Sequence, residues 1–468
     1  MRRLPIVLLA TLTLGPATAS AQSTPGPAAP TSPVAPPQVP PPLVQNDEML
    51  EPIAPPPNIV ATWDAALSAL RSRSTDLRIA LDEIERSEGQ WREALASSLP
   101  TLTGSANVTK NMLLGDPAPI CVAGICAPTT GPDSITYGST LSFSQPLFAP
   151  RAWHAAGTAS AVKEVSRLAA DDEKRVLTIA LANAVVSVVT AERISEINRI
   201  GLRAALDRAQ LAKRRMVLGA GNALDTVRAD QDVAVARSSV VSGDESLRQA
   251  RETLGLALGS TDPWGVPASI DLNGVEASAK ATCSSAATVE DRSDIAAARQ
   301  STHVANRNVD DVWLQFSPTV NLVSSFNVAS TIFANGTHEA WTIAGVLTVP
   351  FFDGGFRYGA LRDTRAQVDE SLQRLEAARR NATVQVRQAR RSVEVAEESR
   401  KVAERSRDLA RETERLSRVA FQAGTGTSLD LIESGRQLRQ AESQLALQEF
   451  GLVQSRMVAL LALSRCHW

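Results

Sequence analysis

The chain is written twice. Gln145-Pro146-Leu147-Phe148 has a counterpart 204 positions later in Val349-Pro350-Phe351-Phe352. Gly219-Ala220-Gly221-Asn222-Ala223-Leu224-Asp225 has one 205 positions later in Gly424-Thr425-Gly426-Thr427-Ser428-Leu429-Asp430. The interval from proline to first glycine is 73 residues in one copy and 74 in the other. Two landmarks that hold their spacing over such a stretch bracket an element of fixed length, so the fold must be assembled from two equivalent units.

That element reads as helix. Residues 151–216 and 354–422 contain no proline. A single helix over either stretch extends about 100 Å at 1.5 Å per residue. The segments that return from the glycine turns carry heptads: Val233, Val240, Leu247 and Leu254 in the first copy, Leu438, Leu445, Leu452 and Ala459 in the second. The outgoing segment of the second copy repeats the interval with Val395, Val402, Leu409 and Leu416. Seven-residue apolar spacing winds helices into a left-handed supercoil. The charged residues between these rows, such as Arg379, Arg380, Glu394 and Glu398, read as a solvated face. A helix pair this long cannot close a compact core by itself and must bury its seam against further copies of the chain.

Each long hairpin is preceded by two alternating stretches. Leu102, Gly104, Ala106 and Val108 alternate with Thr101, Thr103, Ser105, Asn107 and Thr109, and Tyr137, Leu141 and Phe143 with Thr136, Thr140, Ser142 and Ser144. In the second copy Val320, Leu322, Phe326 and Val328 alternate with Thr319, Asn321, Ser325 and Asn327, and Trp341, Ile343, Leu347 and Val349 with Thr342 and Thr348, where Val346 interrupts the polar side. A period of two gives each strand one apolar and one polar face. Strands of about 10 residues are long enough to cross a bilayer at a tilt, and Thr, Ser and Asn suit a wet lumen. Four strands cannot close a barrel, because outer-membrane barrels need at least eight. Strands and helices therefore both call for a symmetric oligomer.

The N-terminus has the layout of a secretory signal over residues 1–21: Arg2 and Arg3, an apolar run from Leu4 to Leu14, and Ala19-Ser20-Ala21 as the cleavage site. Residues 22–57 hold 13 of the 26 prolines and read as an extended linker. Residues 58–258 form the first structural repeat, 259–288 a connection, and 289–464 the second repeat. No run of 18 apolar residues follows the signal, so a membrane role is expected to fall to the strands rather than to a helix.

A net charge of -2 gives no electrostatic footprint for nucleic acid. No constellation of Ser, His, Asp or Cys has catalytic or metal-ligand spacing, so no enzyme, cofactor or metal is expected. Cys121 and Cys126 sit in a Pro/Gly-rich loop and are expected to bridge in an exported chain. The partners of Cys283 and Cys466 stay open on spacing alone.

Strand, strand, long helical hairpin, given twice behind a signal, resembles the TolC-like outer-membrane efflux family. Ser144-Gln145-Pro146-Leu147-Phe148 and Val349-Pro350-Phe351-Phe352-Asp353-Gly354-Gly355 look like its strand-to-helix junctions, and Ala423-Gly424-Thr425-Gly426-Thr427-Ser428-Leu429-Asp430 like its hairpin tip. The likeness covers about residues 58–464 and rests on order, spacing and duplication together. It implies an α+β fold: a transmembrane β-barrel, four strands per protomer and twelve per homotrimer, continuous with a long coiled-coil α-helical barrel in the periplasm. Its function would be the passive exit duct of a tripartite efflux or type I export system, joined to an inner-membrane pump through a periplasmic adaptor protein. It also places 259–288 and the C-terminal stretch in one belt around the helices, which would bring Cys283 near Cys466.

The resemblance further implies that Asp430 and Glu433, three apart on one helix face, form an acidic ring at the closed periplasmic entrance. The plainer role for Asp430 is to complement a helix dipole, a role Asp225 is expected to share in the first copy. Arg228 stands where the second copy has Glu433, so an arginine of one tip could latch an acid of the other. Gly426 occupies a position where the best-known relative carries a basic residue, so the closing contacts here would differ. Gly219, Gly221, Gly424 and Gly426 fit tight reversals and would present the tips to the adaptor. Trp341 and Tyr137 are expected at lipid headgroup level, with 111–135 facing outside the cell. Two other readings remain: a non-transport coiled-coil scaffold, which predicts no lumen, and a stand-alone porin, which has no use for the long helices.

Overall fold

The structure, a computed structural model, describes residues 47–110, 112, 120–122, 125–127, 135–267, 272–330, 332–333 and 336–468, with the side chains of 120–122, 125–127 and 272–273 excepted. The first unit contains β1 (Asn58–Ile59), α1 (Trp63–Arg73), α2 (Thr75–Ala96), β2 (Thr101–Lys110), β3 (Ile120–Val122), β4 (Ile125–Ala127), β5 (Ile135–Phe148), α3 (Pro150–Val217) and α4 (Ala223–Ala257). A connection follows with β6 (Trp264–Gly265), α5 (Leu272–Thr282) and β7 (Cys283–Ser285). The second unit contains α6 (Ser293–Trp313), β8 (Thr319–Ala329), β9 (Glu339–Thr348), α7 (Phe356–Gln422), α8 (Ser428–Leu461) and finally β10 (Ser464–Cys466). The expected signal peptide and the first part of the expected linker lie outside the described residues.

The long helices exist as single elements of 68 residues (α3) and 67 residues (α7). Pro150 occupies the first turn of α3, where its missing N–H costs nothing. The four main strands make one antiparallel sheet in the order β2-β5-β8-β9. Its register lines Gly104, Leu141, Phe326 and Trp341 up in one row and Thr103, Ser142, Ser325 and Thr342 in the adjacent one. Apolar and hydroxyl rows thus alternate across all four strands, as a membrane-spanning sheet with a wet interior requires. On the apolar face the Trp341 indole donates to Ser324 Oγ at 2.9 Å, which satisfies both polar groups. Pro146 is tolerated within β5 because the pairing with β8 slips between Pro146 and Phe148.

Below the sheet, α3 packs against α2 and α6 in its upper part and against α4 and α8 in its lower part, and α7 packs on α6 and α8. The heptads of α4 are buried as the periodicity requires: Val233, Val240, Leu247 and Leu254 all lie in the core. Those of α7 are not. Val395, Val402, Leu409 and Leu416 remain more than half exposed because α7 borders no other helix on that side of the protomer.

α3 has no unbroken run of 18 apolar residues, yet it includes an 18-residue window with mean hydropathy 1.5, long and apolar enough to cross a membrane by length and composition alone. The physical reason is packing. Leu181, Val185 and Val188 of this region are fully buried in the main core with Leu70, Leu254 and Met457, so the apolar stretch serves the helix bundle. The proline-rich stretch is not a free linker throughout. Asp47 pairs with Arg237 at 2.9 Å, the Glu51 carbonyl accepts from Arg199 at 3.1 Å, and the Ala54 carbonyl accepts from Arg251 at 3.0 Å. Residues 47–57 therefore form a strap bound to α3 and α4, which hands over to β1 and its parallel partner β6.

At mid-height, β7 and β10 pair antiparallel, with Cys283 opposite Cys466. The two are joined by a disulfide that closes a separation of 183 residues. Trp468 donates its indole N–H to Thr178 Oγ1 of α3 at 2.9 Å, which fixes the segment after β10 to the bundle.

Candidate functional site at the hairpin tips

The two hairpins reverse by the same local chemistry. Gly219 and Gly424 adopt positive φ values of 72° and 80°, where a side chain would be strained. Gly221 and Gly426 act differently. A Cβ at Gly426 would lie 2.9 Å from Phe421 N, and one at Gly221 3.1 Å from Met216 N, so both allow the chain to pass close over the end of the preceding helix. Asn222 then caps α4 by accepting from the Asp225 N–H at 2.8 Å. Thr427 and Asp430 form a reciprocal capping box on α8. Asp430 Oδ2 accepts from Thr427 Oγ1 at 2.7 Å and from Thr427 N at 3.2 Å. These bonds hold its carboxyl below the usual carboxylate range while Oδ1 is left outside the cap, on an exposed residue.

Glu433 lies one turn further along α8 and is bound within its own helix by Arg436 at 2.8 Å and Gln437 at 3.1 Å. The Arg436 guanidinium is the main reason that its carboxyl sits low. Among the described residues of this single protomer no ion pair joins Arg228 to an acid of the other tip, and the Glu433 carboxylate is held by Arg436.

Two other contacts join the hairpins. The Arg215 guanidinium lies 4.3 Å over the ring of Phe421, and its Nη1 donates to the Phe421 carbonyl at 3.4 Å. Higher up, Asp232 of α4, only 5% exposed, accepts from Arg208 of α3 at 2.6 Å and from Arg439 of α8 at 3.0 Å. Helical glycines make the room. A Cβ at Gly435 on α8 would lie 2.9 Å from Arg208 Nη1, and one at Gly201 on α3 would strike the Arg439 stem. Burial lowers the pKa of Arg439, opposed by the Asp232 charge. Sequence reading missed this clasp. Its one trace is a glycine in the interior of each of two long helices, at positions that need neither a turn nor a positive φ.

Tyr137 and Trp341 are exposed on the apolar face of the sheet. Cys121 and Cys126 lie directly opposite each other in the β3–β4 pairing, whereas their side chains, and with them the expected bridge, are outside the described residues. Among the described residues no group of His, Cys, Asp and Glu could hold a metal.

A four-stranded sheet of alternating strands set on paired coiled-coil hairpins defines a subunit of an envelope-spanning channel. The chain belongs to the outer membrane efflux protein family, whose sequence model matches residues 66–260 and 286–463. It is similar to the alkaline protease secretion protein AprF of Pseudomonas aeruginosa, 23% identical over 68% of this chain and 67% of that protein. It also matches the solvent efflux pump outer membrane protein SrpC of Pseudomonas putida, 25% identical over 64% of this chain and 62% of that protein. The alignment with SrpC thus spans less than two thirds of that relative's length. Among solved structures, CusC superposes with a TM-score of 0.74 at 19% identity, covering 86% of this chain and 92% of that one. VceC of Vibrio cholerae superposes with a TM-score of 0.70 at 17% identity, over 86% and 95%. The protein is accordingly an outer-membrane channel subunit with helices that extend into the periplasm.

Proposed function

We propose that three copies of this chain close edge to edge into one continuous duct. It would serve as the passive exit of a tripartite efflux or type I export system, reached from an inner-membrane pump through a periplasmic adaptor and catalysing no reaction itself. The observation that carries this reading is a matched pair of open edges. The sheet ends in β2 on one side and β9 on the other. The helical layer ends in α2 and α4 below β2, and in α7 below β9. Three four-stranded sheets give twelve strands, enough to close a barrel.

The open helices also offer complementary stripes. α7 presents Val395, Val402, Leu409 and Leu416 to solvent, and α4 presents Val227, Ala234 and Val241, again seven apart. The two helices run in opposite directions from the tips. Leu416 of one copy then comes level with Val227 of the next, Leu409 with Ala234, and Val402 with Val241. Alternation of large and small side chains suits a close helix seam.

At the periplasmic end, Asp430 would supply the entrance charge, because its Oδ1 lies outside the helix cap. Glu433 would contribute less, since Arg436 neutralises it locally. Three carboxylates in a narrow ring favour cations. The glycine turns 219–221 and 424–426 are the parts of the tips offered to an adaptor. The curated relatives are named for a protease and for solvents, so the cargo of this duct is not set by the family.

The deciding measurement is single-channel conductance of the purified trimer in a planar bilayer, with wild type beside Asp430→Ala/Glu433→Ala. Small cation-selective currents that grow and lose selectivity in the variant support the duct. Silence in both, from protein shown to be folded and inserted, supports the scaffold instead.

A further inference from the structure

We infer that the membrane-spanning part of the duct exerts no charge selection, so that ions are discriminated only in the helical part below it. The inference rests on the duct reading above and extends it to the solutes that the exit accepts.

In the described strands β2, β5, β8 and β9 the charged side chains are Lys110 and Glu339. Neither faces the lumen. Lys110 follows Val108 by two positions and Glu339 precedes Trp341 by two, so strand alternation puts both on the apolar, lipid-facing side. Both also stand at the strand ends furthest from the helices.

The opposite face has a different composition. One row across the sheet reads Thr103, Ser142, Ser325 and Thr342, and the next reads Ser105, Thr140, Asn327 and Ala340. These groups bind one another along the wall: Ser325 Oγ meets Thr342 Oγ1 at 2.8 Å, and Thr140 Oγ1 donates to Asn327 Oδ1 at 2.9 Å. Hydroxyls and amides present dipoles that reorient for either sign of ion, whereas selectivity for one sign needs fixed rings of charge or aligned carbonyls. The neutral wall therefore takes cationic, anionic and uncharged solutes alike, and retains none of them by charge.

The test uses the full-length trimer with Ser325→Cys on the lumen face and Ile343→Cys on the apolar face, the unsubstituted chain serving as background. Cationic and anionic methanethiosulfonates of matched size are added from the outer side, and each rate is divided by the reagent's rate with a free small thiol. A wall potential of one kT per unit charge would separate the two reagents by about sevenfold. Ser325→Cys is expected to react with both at normalised rates within about twofold of each other, and Ile343→Cys with neither. A normalised ratio of about sevenfold or more overturns the neutral wall but leaves the duct standing, because labelling by either reagent still needs a water-filled lumen. Reaction at Ile343→Cys in place of Ser325→Cys would invert the faces and also overturn it. No labelling at either position, in an inserted protein without conductance, would remove the duct itself.

Discussion

Arg439 of α8 donates to the buried carboxylate of Asp232 on α4 at 3.0 Å, which ties the second hairpin to the first. Arg208 shares the same carboxylate from α3, so one acid serves two cations. Removing it leaves both guanidiniums buried without a counter-charge, a loss on the order of 3–5 kcal/mol. Asp232→Ala is expected to lower the denaturation midpoint of the solubilised protein strongly, and Asp232→Asn less, since the amide can still accept. If Asp232→Ala were combined with Arg439→Met, part of the loss should return, because one of the orphaned cations is then gone.

The helical glycines separate packing from propensity. Glycine inside a helix costs about 0.5–1 kcal/mol relative to alanine. At Gly451 of α8 an added Cβ meets nothing within 4 Å in the protomer, so Gly451→Ala should stabilise by up to that amount. At Gly201 the methyl group would displace the Arg439 stem, and Gly201→Ala should destabilise despite its better propensity. Thermal melts of the two variants beside wild type decide the point. A stabilised Gly201→Ala would mean that the clasp is not tightly packed.

How much of this was legible beforehand follows from what repeats. The duplication, the strand alternation and the α4 heptads were all readable, because each expresses a period that burial imposes on the sequence. The strap at 47–57 was not, because its hold on α3 and α4 runs mainly through backbone carbonyls, which leave no mark in residue type. The clasp escaped for a similar reason. Asp232 sits on a helix among charged residues that look like a solvated face, and only the tertiary approach of Arg208 and Arg439 separates it from them. At the tip the bonds of the two acids were not legible: Asp430 closes a capping box and Glu433 binds its own helix.

The Cys283–Cys466 bridge links the second-repeat terminus to the central connection across 183 residues. Closing so long a loop restricts the unfolded chain, and loss of such a bridge typically costs about 2–5 kcal/mol. Cys283→Ala/Cys466→Ala should therefore melt lower than wild type. Reductant should lower wild type by more than the variant, in which Cys121 and Cys126 are the only cysteines left to reduce. A bridge that matters only locally would leave both midpoints the same.

Asp172 gives a pH dependence of definite sign. Burial raises its carboxyl pKa, the neighbouring Asp294 adds to the effect, and the Arg175 partner only partly opposes it. The folded state thus holds this proton more readily than the unfolded chain. For an acid shifted upward, the favourable contribution is present at low pH and is lost as pH rises through the raised value. Asp172→Asn removes the group's titration while keeping an acceptor for Arg175. The midpoint of the variant minus that of wild type should therefore grow with pH across the acid range and level off near neutrality. A difference that shrinks with rising pH would mean that Arg175 dominates after all.

The seam between copies can be tested without solving the trimer. Leu409 on α7 and Ala234 on α4 are both exposed and lie on opposite edges of the protomer, with α3 and α8 between them. They cannot meet within one chain. If α7 of one copy lies along α4 of the next, the double variant Leu409→Cys/Ala234→Cys should cross-link under mild oxidation into dimers and trimers on a denaturing gel, and each single variant should not. Pairing at another register would instead link Leu409→Cys to a cysteine at Val227 or Val241, one heptad away along the same stripe. Leu409→Lys adds a buried charge to the seam and should shift the purified protein from trimer to monomer by light scattering, with its helical circular dichroism largely kept. Monomer bands from every cysteine pair, together with an intact trimer carrying Leu409→Lys, would show that the copies assemble along some other face.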